Sequence, residues 1–118
     1  MMPKPTKRSA VLLILASLMA GTAAWADMTT TITLHDGKFD PAELTLPAKV
    51  RSRIVVRNQD SLPAEFESYS LSREVLVPPH GEVSFFVGPA EPGRYEYFND
   101  FNHDMKGVVI FDTRAEGH

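Results

Sequence analysis

The sequence predicts an all-β protein, an antiparallel Greek-key sandwich or barrel of seven to eight strands. Short runs of alternating apolar and polar residues recur along the chain, turn residues separate them, and no helical period of any length follows residue 27. Several short strands with turn signals between them are typical of sandwiches and small barrels. The chain has 118 residues and no cysteine, so it has room for one such domain, which must be held together by packing rather than by disulfides.

The first 26 residues are predicted to be a secretory signal peptide. Residues 4–8 carry three basic side chains, and an apolar run over residues 11–20 follows that is too short to span a bilayer comfortably. Small residues then occupy both positions that determine cleavage, in Ala24-Trp25-Ala26. We therefore expect a periplasmic protein that is not embedded in the membrane, with a single domain over residues 27–118.

Removal of the predicted signal peptide leaves an acidic domain. That segment carries three of the 12 basic residues and none of the 15 acidic ones, so the remaining 92 residues have a formal net charge of −6. Such a charge argues against binding to nucleic acid or to an anionic membrane surface, and it suits a protein that meets cations. No Ser/His/Asp triad, phosphate loop or thiol nucleophile is visible, so hydrolytic catalysis has no support.

Four strands are predicted in the first half of the domain. Residues 29–34 form the first, with two aliphatic residues on one face, and an Asp-Gly pair turns the chain after it. Residues 44–46 form the second. In the third, residues 51–57, small and aliphatic residues alternate cleanly with arginines, and the fourth covers residues 66–71.

The second half continues in the same way. A short strand over residues 74–77 ends at the tight turn Pro78-Pro79-His80-Gly81. Residues 82–87 form a buried strand with its apolar side chains inward, and a turn rich in proline and glycine follows. Residues 94–98 and 107–112 close the domain.

The segment between the last two predicted strands, residues 99–107, has the layout of a metal-ligand loop. A blue-copper centre needs a thiolate, which this chain cannot supply, so the candidate ligands are carboxylate, imidazole and thioether groups. His103 offers an imidazole among acidic neighbours, Asp100 a hard oxygen three residues earlier, and Met105 a thioether. The alternatives are a solvated histidine, a turn-capping aspartate and a core methionine.

Glu65 and Glu67 are the second group of candidate ligands. They lie two residues apart at the start of a predicted strand, so both point to one face while Phe66 enters the core on the other. Paired carboxylates would provide oxygen ligands for iron. The alternative interpretation is a solvated acidic edge.

Four stretches of sequence cover nearly all of the predicted domain and together resemble the cupredoxins. They are Phe39-x-Pro41-x-x-Leu44-Thr45-Leu46-Pro47-Ala48, Val55-Val56-Arg57-Asn58, Pro92-Gly93-Arg94-Tyr95-Glu96-Tyr97-Phe98 and Met105-Lys106-Gly107-Val108-Val109. Three further stretches look more narrowly like the cysteine-less, EfeO-type cupredoxin-like domains of bacterial iron uptake systems. These are Ala64-Glu65-Phe66-Glu67-Ser68-Tyr69, Val87-Gly88-Pro89 and Asp100-Phe101.

This resemblance implies a periplasmic protein that works beside an iron permease, binds iron or copper, and assists the capture or oxidation of ferrous iron. It implies that Glu65 and Glu67 stand where a blue-copper protein supplies its first histidine. It also implies that His35 and His80 lie in turns at the same end as the ligand loop, as ligands or shuttles. Lys49 departs from the pattern, because cupredoxins usually have a glycine after the Pro-Ala pair.

Two registers of the ligand loop stay open. A gapless match puts Asn99 in the cysteine position and Asn102 in the histidine position. A shift by one residue puts Asp100 and His103 there instead. The shifted pair is favoured chemically, because asparagine is neutral and a poor ligand beside a carboxylate or an imidazole.

Three functions follow as hypotheses. The favoured one is a metal-binding protein of a ferrous iron uptake system, with an iron permease and other periplasmic components as partners. Its candidate ligands for iron or copper are Glu65, Glu67, Asp100, His103 and Met105. The alternative is a periplasmic copper carrier or detoxification protein that uses histidine and methionine ligands. The third is a metal-free sandwich that docks to a partner. The residues leave open whether there is catalytic turnover.

Overall fold

The computed structural model describes residues 28–113, which form nine β-strands. The strands are β1 (Thr29–His35), β2 (Lys38–Asp40), β3 (Glu43–Pro47), β4 (Ser52–Asn58), β5 (Ala64–Ser68), β6 (Arg73–Val77), β7 (Glu82–Val87), β8 (Gly93–Asn99) and β9 (Asn102–Asp112). No helix within residues 28–113 has the length and apolar character needed to cross a membrane. The predicted signal peptide and its cleavage site lie outside the described residues.

The strands form two sheets that pack into a sandwich. One sheet has the order β2-β1-β4-β7, and the other has the order β3-β9-β8-β5-β6. The all-β prediction is confirmed, with two corrections. The described part of the chain has nine strands, and both sheets are mixed, because β1 pairs with β4 and β3 with β9 in parallel. Between two parallel partners the chain crosses to the other sheet. The alternation of side chains along one strand does not show whether its neighbour runs parallel or antiparallel to it.

Two strands differ from the prediction for local reasons. β2 was not predicted, because its three residues bury a single side chain, Phe39, and are too few to show alternation. The strand expected over residues 66–71 is β5, which ends at Ser68, and the chain turns at Tyr69. Tyr69 has the composition of a strand residue, yet its side chain is 78% exposed.

An aromatic layer fills the core beneath β5 and β8. Tyr97 and Phe66 are almost completely buried, and their rings stack with centroids 4.5 Å apart. Phe39 meets the Tyr97 ring edge-on at 4.9 Å. Each buried aromatic removes about 150–250 Å² from water, so this layer holds β5, which carries two of the candidate ligands, against β8, which leads into the turn that carries Asp100.

The segment expected as a ligand loop is mostly strand. β8 ends at Asn99 and β9 begins at Asn102, so a turn of two residues joins them. The pairing shifts at this point, because Phe98 pairs with Lys106 whereas Asn99 pairs with Asn102. An irregularity of this kind re-aims the neighbouring side chains, and here it decides which of them face the interior.

Candidate metal site

β5 presents two of the predicted ligands on the outer face of the five-stranded sheet. Phe66 is buried between them, so the period-two alternation of the strand turns Glu65 and Glu67 outward, where both are half-buried. Glu74 of β6 lies directly opposite Glu67. Two like charges opposite each other destabilise a sheet, so this patch is not built for stability alone.

The turn between β8 and β9 brings a third carboxylate to the same patch. The backbone N–H of Asp100 donates to the Glu65 carbonyl oxygen at 3.1 Å. The side-chain oxygen of buried Asn99 accepts hydrogen bonds from the backbone N–H groups of Glu65 and Phe101, at 2.9 and 3.1 Å. Because these contacts hold the turn against β5, carboxylate oxygens of Glu65, Glu67 and Asp100 all lie within 4.8 Å of one another.

His103 lies at the side of this carboxylate cluster. Its Nε2 is 3.1 Å from Asp100 Oδ1, and its ring meets the Phe98 ring edge-on at 4.9 Å. The imidazole is 67% exposed. His103 is not a member of the three-carboxylate group, which it touches through Asp100. Its Nε2 would have to give up the contact with Asp100 to bind an ion as a fourth donor.

Met105, in contrast, does not join the cluster. Its side chain is buried in the sandwich, and its sulfur accepts a hydrogen bond from the Asn99 amide at 3.3 Å. Of the gapless register, Asn99 is buried beside Met105 while Asn102 is exposed, so its two asparagines do not face one site. Asp100 and His103 lie outside, beside the glutamates. The sheet separates the thioether from the carboxylates and the imidazole.

A cavity of 290 Å³ opens at the end of the sandwich, and Met105 is part of its lining. Its polar lining includes Asn58, Asp60, Asn99 and Asn102. Backbone groups of the surrounding turns already occupy the Asn58 amide and the Asp60 carboxylate. Neutral amides are poor metal ligands, so this cavity offers a weaker donor set than the outer face of the sheet.

His35 and His80 both lie outside the carboxylate cluster, His35 at the end of β1 and His80 in the turn before β7. The ring nitrogens of His35 are 3.1 Å from an Asp40 oxygen and 3.4 Å from an Asp36 oxygen, and these hydrogen bonds raise the pKa of His35. His80 is exposed in its turn, at a φ of 53°, and its backbone N–H donates to the Asp60 carbonyl oxygen. Neither histidine belongs to the three-carboxylate group.

The cluster carries negative charge that nearby cations do not balance. Partial burial, followed by repulsion from Glu74 and Asp100, raises the pKa of both Glu65 and Glu67 above its ordinary value of 4.5. No ion pair within residues 28–113 joins either glutamate to a lysine or arginine. Arg73, at the start of the neighbouring strand, donates instead to two backbone carbonyls. A bound cation would supply the missing positive charge.

Glu67→Gln should stabilise the metal-free protein near neutral pH. A carboxyl group whose pKa is raised by folding prefers its proton in the folded state, so its ionised form opposes folding above that raised pKa. The melting temperature should therefore rise at about pH 7, and the gain should shrink as the pH falls toward the ordinary value of 4.5. Thermal unfolding of both proteins across this range checks the sign, and a lower melting temperature for the variant near neutrality would contradict it.

Comparison with known proteins gives a family and a relative. The sequence profile of one family, described as a cupredoxin-like domain, matches residues 8–111. "Uncharacterized protein RP394" of Rickettsia prowazekii (strain Madrid E) is 40% identical over 80 residues, which cover 67% of this chain and 64% of the relative. The chain thus spans less than two thirds of the length of that relative.

Solved structures share the fold at low sequence identity. Amicyanin from Paracoccus versutus superposes with a TM-score of 0.58 at 18% identity, over 71% of this chain and 81% of amicyanin. The metal-binding domain of the Streptococcus pneumoniae D39 Cu(I)-exporting P-type ATPase CopA, solved with Cu(I), has a TM-score of 0.65 at 16% identity, over 75% and 88% of the two chains. Such identities establish the fold and do not identify the ligands of this chain.

Proposed function

This chain belongs to the family of cupredoxin-like domains, and we propose that it binds a metal ion on the outer face of its five-stranded sheet. The observation that carries the proposal is the convergence of Glu65, Glu67 and Asp100, with carboxylate oxygens within 4.8 Å of one another. Oxygens that share an ion at about 2 Å lie up to about 4 Å apart, so small side-chain movements would close this set around an ion.

The donor atoms favour iron over Cu(I). Carboxylate oxygens suit hard ions, imidazole suits iron and copper, and thioether sulfur selects Cu(I). On the outer face, His103 adds a nitrogen donor beside Asp100, whereas the sulfur of Met105 is inside the sandwich. We therefore propose Fe(II) as the ion, held by oxygen and nitrogen and not in a blue-copper centre.

We further propose that the protein serves a ferrous iron uptake system in the periplasm. The N-terminal segment, which is typical of a secretory signal, supports this role, and so does the resemblance of the stretches around Glu65 and Asp100 to domains of such systems. In this role the protein captures Fe(II) and hands it to an iron permease, or aids its oxidation. An ion on an exposed sheet face suits transfer, because a partner can reach it without opening the fold.

A copper carrier or detoxification protein is the competing proposal. The fold that this chain shares with a Cu(I)-bound ATPase domain favours it. That function would need His103 and Met105 to reach one ion, yet His103 is exposed beside Asp100 while Met105 is buried against Asn99. The placement of these two side chains therefore supports copper less than iron.

His103→Ala should weaken Fe(II) binding, whereas Met105→Leu should leave it unchanged. Loss of a residue that only supports a metal ligand costs about 10–100-fold in affinity, and loss of a ligand should cost at least as much. Leucine replaces a buried methionine at a cost below about 1.5 kcal/mol. Loss of the sulfur that accepts from the Asn99 amide adds about 1–3 kcal/mol to the loss of stability, without removing a ligand from the outer face. Anaerobic titration of the purified proteins with Fe(II), Cu(I) and Cu(II), with stoichiometry measured, tests both expectations.

The same titrations decide between iron and copper. Cu(II) should give no intense blue colour, because the chain has no thiolate to produce that absorption. If the wild-type protein bound Cu(I) but not Fe(II), and Met105→Leu abolished Cu(I) binding, the copper carrier would be the better account.

A further inference from the structure

A groove of 670 Å³ lies on the outer face of the five-stranded sheet, next to the carboxylate cluster. The ring of Phe98 lines it and is in edge contact with Tyr69 at 5.5 Å and with His103 at 4.9 Å. Pockets of about 300–1,000 Å³ with aromatic linings hold small organic molecules. A single metal ion is far smaller than this groove, so the groove has room for an organic ligand as well.

The groove carries positive charge at the end away from the cluster. Lys106 lines it, is exposed, and makes no ion pair within residues 28–113. Arg94 also lines it, and its one ion-pair contact within residues 28–113 is with Glu43, at 4.0 Å, with both side chains more than 60% exposed. Glu96 lines the same groove and offsets one of the two positive charges. Glu43 offsets the other, so the free cation of this end is Lys106, which forms no ion pair within residues 28–113 and lies across Phe98 from the cluster.

The register of the strands joins these two ends. Glu67 pairs with Phe98, and Phe98 pairs with Lys106, so a carboxylate, an aromatic ring and an ammonium group lie in one row across β5, β8 and β9. Adjacent strands are about 4.8 Å apart, which places the backbones of Glu67 and Lys106 about 10 Å apart. His103 belongs to both ends, because it lines the groove and contacts Asp100.

We propose that the protein takes its metal ion as a chelate, with a small polycarboxylate in the groove and the ion at the carboxylate cluster. This inference rests on the proposed function. The cluster would repel a free polycarboxylate, and a hydrated ion would gain nothing from Arg94 and Lys106. A chelate with an open face has a cationic end and an anionic end, in the same order as the charges of this surface.

The test measures metal and chelator separately. In anaerobic equilibrium dialysis, the purified protein is exposed to the equimolar complex of Fe(II) with nitrilotriacetate, to hydrated Fe(II), and to metal-free nitrilotriacetate. We expect the protein to retain iron and nitrilotriacetate in equal amounts from the complex. We expect much less nitrilotriacetate to be retained when no metal is present.

Two variants of equal charge change locate the chelator. Arg94→Gln combined with Lys106→Gln should weaken retention of the complex about tenfold, the order of effect of losing two exposed charge contacts. It should leave hydrated Fe(II) unaffected. Lys38→Glu alters the net charge by the same amount at an exposed position on β2, in the other sheet, and should change neither.

Three results would overturn the proposal. In the first, the protein takes iron from the complex and leaves nitrilotriacetate behind. In the second, it retains metal-free nitrilotriacetate as strongly as the complex. In the third, the double variant retains as much of the complex as the wild-type protein does. Failure of the proposed function gives a different result, namely hydrated Fe(II) that does not bind or that binds equally well to Glu65→Gln. The comparison of the double variant with Lys38→Glu still decides on the groove in that case.

Discussion

Glu65→Gln combined with Glu67→Gln should lower the affinity for Fe(II) by more than about 100-fold, the upper end of what the loss of a supporting residue costs. Glutamine keeps the shape of each side chain and removes its charge, so β5 should retain its pairing and the burial of Phe66. Asp100 would then be the one charged oxygen donor left in the cluster. Anaerobic Fe(II) titration measures the loss, and circular dichroism checks that the sheets persist.

The stability of the same variant separates a ligand role from a structural one. Burial, followed by repulsion from Glu74 and Asp100, raises the pKa of both glutamates, so their ionised forms oppose folding near neutral pH. The double variant should therefore lose metal while its metal-free form becomes more stable. Glu82→Gln combined with Glu91→Gln removes the same charge from exposed positions outside the cluster and serves as the control. Normal Fe(II) binding by the first variant would contradict the site, and equal losses in both would point to net charge alone.

The direction of the side chains of β5 could be predicted from sequence, because it depends only on neighbours along the chain. The alternation of Glu65, Phe66 and Glu67 determines which face each one takes. The proximity of Glu74 to Glu67 could not be predicted in the same way. It depends on the register of β5 with β6, and hence on the turn at Tyr69, a residue whose type favours strand.

The ligand segment shows a second kind of limit. Residue chemistry pointed to Asp100 and His103, but it could not show on which side of the sheet they would lie. A slip of one residue moves a side chain to the opposite face of a strand, and the irregular pairing after Phe98 makes such a change. The structure accordingly places Asn99 and Met105 inside, while the chemically competent pair lies on the outer face. The candidate site is thus on a sheet face rather than at the end of the sandwich.

Gly107→Ala should destabilise the fold strongly. Gly107 pairs with Tyr97 across β8 and β9, and a Cβ at this position would collide with the ring and hydroxyl of Tyr97 and lie 2.8 Å from the Ala42 carbonyl oxygen. The Tyr97 ring cannot easily retreat, because it is stacked on Phe66 and touches Phe39. Overpacking a core costs about 1–3 kcal/mol and occasionally more. We expect about 3 kcal/mol, which lowers the melting temperature of a domain of this size by about 12–24 °C.

Gly37→Ala is the matched control for this collision. Gly37 has a φ of +69°, and no atom of residues 28–113 outside its immediate chain neighbours lies within 4 Å of a Cβ built there, so its substitution carries only a backbone cost. That cost should be about 1 kcal/mol, and denaturant unfolding of both variants should show the larger loss for Gly107→Ala. The hydroxyl of Tyr97 has no hydrogen-bond partner within residues 28–113. Tyr97→Phe therefore removes no hydrogen bond, and adding it to Gly107→Ala should restore part of the stability. The rescue should be incomplete, because a ring carbon of residue 97 would still collide with the new Cβ. If Gly107→Ala were no worse than Gly37→Ala, the Tyr97 ring must be able to move, and the aromatic layer would not be a rigid support for the carboxylates on β5.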